Sequence, residues 1–229
     1  MTNNPIYCAI DTNDIKQALS LIEKIKESIG GIKLGLEFYT HCGIEGISKI
    51  QALGLPIFID LKLFDIPNTA KSALQGILNL KPEFTTLHIS GGSEMIRECV
   101  KVKDSNQSQT NLIGVTILTS FDEDGIKEVG IHNSIDDQVL NLAKLANENN
   151  LDGIVCSPQE IRRIKQETEN NLKLIVPGIR NIDDDTNDQK RTMNASEAIN
   201  AGADILVIGR PITMANDPAE AAFKIFKSL

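Results

Sequence analysis

The chain has no tryptophan, and aromatic residues make up only 4% of its 229 positions. Aliphatic side chains must therefore fill most of whatever core it builds. No stretch approaches the roughly 18 uninterrupted apolar residues of a membrane helix, and "MTNNPIYCAID" has neither the basic start nor the apolar run of a signal peptide. A cytosolic protein is expected. Cys8, Cys42, Cys99 and Cys156 form no CxxC pair, and the three histidines stand at no metal-ligand spacing to them. They read as packed thiols in a reducing compartment, with neither disulfides nor zinc. Positive charge is also in deficit: a formal net charge of −8 argues against nucleic acid as a partner. A small anionic ligand remains compatible if a few cations gather at one site.

What is present is a composition of 41% hydrophobic and 24% charged residues, enough for a sizeable core. The length exceeds the usual range of about 100 to 200 residues for one domain, although barrels often reach it as a unit. No internal repeat or low-complexity linker divides the chain. Apolar runs of strand length alternate with segments of helical period, the pattern of βαβ units. Eight strands are expected: Ile6 to Ile10, Gly31 to Leu36, Pro56 to Lys62, Phe84 to Ile89, Leu112 to Leu118, Gly153 to Ser157, Leu172 to Val176 and Ile205 to Gly209. From Asp14 to Ser28, residues Ile15, Ala18, Leu19, Ile22 and Ile25 share one helical stripe, with Asp14 as N-cap. A second helix spans Ser134 to Asn149, and a last one opens with Asp217 as N-cap and Pro218 at the first helical position. Eight strand–helix repeats in a single domain predict an α/β fold, a (β/α)8 TIM barrel, with a doubly wound open sheet as the alternative.

Charges interrupt this pattern at particular places. In "IFIDLKLFDIPNT", alternation puts Phe58, Asp60 and Lys62 on the inward face and Ile57, Ile59 and Leu61 on the helix-facing one. An unpaired ion at the barrel axis would be prohibitive, so these charges must pair. Lys33 interrupts the second strand in the same way, and Asp11 follows the first. A structural salt bridge would explain one such pair, but buried ion pairs stabilise poorly, and their repetition over three strands points to chemistry. Glycine and arginine follow strand eight as Gly209 and Arg210, and strand seven as Gly178 and Arg180, where barrels bind phosphate. The stretch 178–193, "GIRNIDDDTNDQKRTM", has no clear period and leaves the active-site face, as a lid would. A solvated acidic excursion is the plainer reading of Asp183, Asp184 and Asp185.

"DLKLFDIPNT" resembles the D-x-K-x-x-D-I-P-x-T signature of the orotidine 5′-phosphate decarboxylases, bacterial type. Similar ordered motifs run through the chain: "YCAID", "IKLG", "LHISGG", "VTILTS", "VPGIR", "DQKR" and "VIGRPIT". The resemblance implies decarboxylation of orotidine monophosphate to UMP without cofactor or metal, on a homodimeric barrel. It further implies that Lys62 is the proton donor, Asp60 its neighbour at the substrate carboxylate and Lys33 part of the same charge array. Asp65, Ile66 and Thr69 would reach into the partner's site. Asp11 and Lys33 would hold the ribose, Thr119 and Gln189 would meet the pyrimidine or close the lid, and Arg180, Gly209 and Arg210 would face the phosphate. His88 is assigned to the scaffold. The chain departs from the family in the lid, where "NDQ", with Asn187 and Asp188, has asparagine just before "DQ" in place of the family's frequent glycine. Two other readings compete: a Mg2+-dependent sugar-phosphate decarboxylase or lyase of the same superfamily, and a non-catalytic UMP-binding barrel.

Overall fold

The computed structural model describes residues 4–168, 171–180 and 193–229. At its centre eight parallel strands close into a barrel in chain order, with the last paired to the first. They are β1 (Ile6–Ala9), β2 (Gly31–Gly35), β3 (Ile57–Leu63), β4 (Phe84–His88), β5 (Asn111–Val115), β6 (Gly153–Val155), β7 (Lys173–Val176) and β8 (Ile205–Ile208). Each expected strand is present, most ending a residue or more before the sequence pattern does. The TIM-barrel expectation holds, and the open-sheet alternative falls with the β1–β8 pairing.

Parallel neighbours require a crossover, and helices supply it. Around the barrel run α1 (Ile15–Ile25), α2 (Leu36–Gln51), α3 (Pro67–Leu78), α4 (Gly92–Ser105), α5 (Glu123–Glu128), α6 (Ile135–Glu148), α7 (Ile161–Glu167), α8 (Ala195–Ala201), α9 (Arg210–Thr213) and α10 (Pro218–Lys227). Their starts follow local chemistry. Asp14 accepts hydrogen bonds from the Lys16 and Gln17 amides, Ser134 from that of Asp137, and Asp217 from that of Glu220 ahead of Pro218. Among the described residues no helix is long and apolar enough to cross a membrane.

Strand alternation divides the core in two. Outward residues such as Ile57, Ile59 and Leu61 join the aliphatic layer between sheet and helices. Inward residues Tyr7, Ala9, Phe58, Phe84, Ile113, Ile175 and Val207 fill the barrel. Three aromatics meet here: Phe84 packs edge-on against Tyr7 at 5.4 Å and against Phe58 at 5.8 Å between ring centroids. Tyr7 Oη donates to Glu83 Oε2 at 2.7 Å, so the hydroxyl is satisfied despite its burial. Cys8, Cys99 and Cys156 are buried as expected, and burial pushes Cys8 up to about 12 and Cys99 to about 11. Cys42 departs from that expectation: it is half-buried, its thiol facing the Asn13 carbonyl.

Gly31 lies opposite Tyr7 in the β1–β2 register, and a Cβ there would run into the tyrosine ring. Gly76, by contrast, sits on the exposed side of α3 with open space around its missing Cβ. Gly31→Ala is therefore expected to destabilise the barrel by about 1–3 kcal/mol through overpacking. Gly76→Ala should instead stabilise it by roughly 0.5–1 kcal/mol through helix propensity. Urea unfolding midpoints of opposite sign would bear this out, and two shifts of the same sign would contradict it.

Candidate active site

The C-terminal ends of β1, β2 and β3 bring four of the anticipated charges together. Lys62 Nζ lies 2.8 Å from Asp60 Oδ2, Lys33 Nζ 3.4 Å from the same oxygen, and Lys33 Nζ 3.7 Å from Asp11 Oδ1. Asp60 is buried, the Lys33 and Lys62 side chains are 11% and 30% exposed, and Asp11 is open to solvent. The array thus grades from a desolvated centre to a wet rim, which strengthens the inner contacts relative to the outer one.

Room for Lys33 depends on Gly35, whose absent Cβ would stand 3.1 Å from Lys33 Nζ and 3.5 Å from Asp11 Oδ1. At Lys62 the local backbone is unusual. Its φ is +52°, a conformation that costs a non-glycine residue on the order of 1–3 kcal/mol. The pairing of β3 with β4 jumps from Ile59↔Thr85 to Leu63↔Leu87, a bulge that re-aims the intervening side chains. The Lys62 amide, thrown out of register, donates to Thr86 Oγ1 at 2.9 Å, and Thr86 donates to Asp60 Oδ1 at 2.9 Å. Sequence reasoning missed Thr86. Its signal was available: alternation along "FTTLH" sends Phe84, Thr86 and His88 inward, and a hydroxyl at an inward position is out of place in an apolar core.

These charges line a cavity of about 520 Å³ at the barrel mouth, a volume suited to a small ligand. Ala9, Phe58, Val115, Val155, Ile175 and Val207 give it an apolar floor, and Thr119, Gly178, Arg180, Gly209 and Arg210 also border it. Arg180 is buried and donates to the Ile179 carbonyl at 2.8 Å, while Gly178 turns the chain at φ +78°. The Arg180 amide donates to the Met193 carbonyl, so the ends of the segment expected to form a lid stand side by side at the rim. Residues 181–192, Gln189 among them, lie outside the described residues.

Asp65, Ile66 and Thr69 do not border this cavity. All three are exposed, and Asp65 accepts a hydrogen bond from the Ile66 amide at 2.7 Å. His88 stays on the flank, its ring 5.5 Å from that of Phe64. Burial and the Lys62 charge hold His88 below the usual histidine range, which favours the neutral imidazole.

A concave, charged mouth over an apolar floor at the C-terminal face defines the class: a (β/α)8-barrel enzyme whose site couples ammonium groups to a desolvated carboxylate. The description "Orotidine 5'-phosphate decarboxylase / HUMPS family" matches residues 4–225, and the chain belongs to that family. Two similar proteins, both named orotidine 5′-phosphate decarboxylase, come from Ehrlichia chaffeensis and a Wolbachia of Brugia malayi. The first is 48% identical over 100% of this chain and 98% of its own length, the second 47% identical over 99% of each. The crystal structure of orotidine 5′-phosphate decarboxylase from Lactobacillus acidophilus superposes with a TM-score of 0.85 at 32% identity, covering 98% of both chains.

Burial pushes the Asp60 carboxyl up, but Lys33, Lys62 and the hydrogen bonds from Lys62 and Thr86 outweigh it and hold it below the usual carboxylate range. A depressed folded-state value means that the ionised group contributes stability above its unfolded pKa of about 3.9 and loses that contribution as pH falls through the lower folded value. Asp60→Asn is thus expected to melt below wild type at neutral pH, with the gap closing as pH drops under about 4. Melting temperatures across that pH series test this, and a constant gap would contradict it.

Proposed function

We propose that this chain decarboxylates orotidine 5′-monophosphate to UMP and CO2, the closing step of de novo pyrimidine synthesis. The carrying observation is the Lys33–Asp60–Lys62 array on the rim of the cavity, in a chain that belongs to the family over residues 4–225. In the reaction the bond from C6 to the carboxylate breaks, its electron pair stays on C6, and CO2 departs. The resulting carbanion lies in the plane of the ring and has no conjugated sink, so an acid must stand beside that carbon. Lys62 Nζ gives C6 its proton and regains one from solvent afterwards.

Asp60 holds the lysine in place and faces the substrate carboxylate. Two like charges about 4 Å apart repel by roughly 4 kcal/mol at an effective dielectric near 20. Enzymatic barrier reductions run from about 8 to 23 kcal/mol, so repulsion supplies only a minor share. The larger share is assigned to stabilisation of the developing carbanion by the Lys62 ammonium, and to phosphate binding energy used to fix the reacting end. Asp11 and Lys33 take the ribose hydroxyls, Thr119 and Gln189 the pyrimidine or its cover, and Arg180, Gly209 and Arg210 the phosphate. Residues 178–193 serve as a lid over this single barrel domain.

The working unit is a homodimer in the cytoplasm, in which Asp65, Ile66 and Thr69 complete the partner's site. Their exposure and their absence from their own cavity support this, as do the exposed apolar side chains Phe64, Leu118 and Val129, which border one groove. Asp65 then becomes the second carboxylate beside the partner's proton donor.

The loss of orotate absorbance from orotidine monophosphate provides the assay. Wild type is expected to turn over without added metal and to be insensitive to a chelator, whereas a Mg2+-dependent sugar-phosphate lyase of the same superfamily would fail this substrate. Lys62→Ala should lose essentially all turnover while still binding UMP. A UMP-binding barrel without chemistry would instead show binding and no turnover in both proteins.

A separate measurement tests the shared site. A mixture of inactive Lys62→Ala and Asp65→Ala proteins should regain activity as hybrid dimers form. Absence of recovery between subunits shown to exchange would rule the sharing out.

A further inference from the structure

We infer that Thr86 is a positioning residue for the proton-transfer step, fixing both Asp60 and Lys62 through one hydroxyl. Its side chain is fully buried on the inward face of β4, at the level where β3 slips out of register. The hydroxyl accepts from the Lys62 amide at 2.9 Å and donates to Asp60 Oδ1 at 2.9 Å. Asp60 Oδ2 is left to the two ammonium groups, at 2.8 Å from Lys62 and 3.4 Å from Lys33. Each carboxylate oxygen therefore has separate partners, and rotation about the Asp60 side chain would break all of these contacts together.

The same hydroxyl answers a backbone need. Lys62 falls between the registered pairs Ile59↔Thr85 and Leu63↔Leu87, where its amide donates to a side chain, and an amide left without an acceptor there would be unfavourable. Thr86 Oγ1 is that acceptor, and in accepting it helps hold Lys62 at φ +52°. The residue that sets the aspartate's orientation thus also sets the root of the lysine side chain. Misplacing either end of an ion pair used in proton transfer weakens the acid's alignment with the reacting carbon, even when substrate still binds.

A hydroxyl donor favours the ionised form of Asp60 as well, in addition to what the two lysines do. Its loss should therefore move the acid limb of the pH–rate profile towards higher pH.

The inference rests on the decarboxylase reading, and its test separates the two. Thr86→Val keeps shape and volume but removes the hydroxyl, while Thr86→Ser keeps the hydroxyl. With orotidine monophosphate, Thr86→Val is expected to lose on the order of 100-fold in kcat with KM within about threefold of wild type. Its acid limb should rise, and Thr86→Ser should restore rate and profile. Wild-type turnover tests the reaction itself, whereas the contrast between the two variants tests Thr86. A crystal structure of Thr86→Val gives a readout independent of any substrate: Lys62 should leave positive φ, and the Asp60 carboxylate should rotate. Thr86→Val that matches wild type in kcat and pH profile, or retains both geometries in the crystal, would overturn the inference. Equal loss in Thr86→Val and Thr86→Ser would do so too, because keeping the hydroxyl would then make no difference to the rate.

Discussion

Asp60 is a buried carboxylate whose two oxygens are divided between a hydroxyl and two ammonium groups, and the site takes its geometry from that division. An anion at the edge of an apolar barrel is tolerable only because each oxygen is answered. The answering groups come from different strands: Lys33 from β2, Lys62 from β3 itself and Thr86 from β4. Direct pairing of β3 with β2 on one side and with β4 on the other holds these three strands at hydrogen-bonding distance. The carboxylate thus ties local charge chemistry to global topology, because no single βα unit could supply its partners.

The rest of the fold serves this arrangement by keeping the interior dry and the mouth wet. Aliphatic packing outside the sheet and an aromatic cluster inside it leave the polar groups a narrow band at the C-terminal strand ends. Within that band small residues carry as much weight as charged ones. Gly35 clears the path of the Lys33 side chain, and Gly178 turns the backbone beside Arg180.

Much of this was legible in the sequence because alternation is a strong constraint in parallel strands. Phe58, Asp60 and Lys62 are assigned inward by period two alone, and Asp14 and Asp217 cap the helices their side-chain chemistry predicts. The β3 bulge was not legible, since nothing in "IDLKLF" marks a register shift that arises from the pairing partner. Positive φ at Lys62 escaped for the same reason: no glycine or asparagine announces it. Thr86 was passed over because a threonine suits a strand on propensity alone, and its role appears only when β3 and β4 are side by side. The short helices α5 and α9 lack the length over which an apolar stripe can be recognised.

The aromatic cluster of Tyr7, Phe58 and Phe84 has a consequence for traffic through the molecule. It fills the barrel beneath the cavity and, through Phe58, supplies part of the apolar floor. Under the role proposed for Lys62, the hydrogen ions that recharge its amine would come from the open mouth of the cavity, the side from which a ligand also enters.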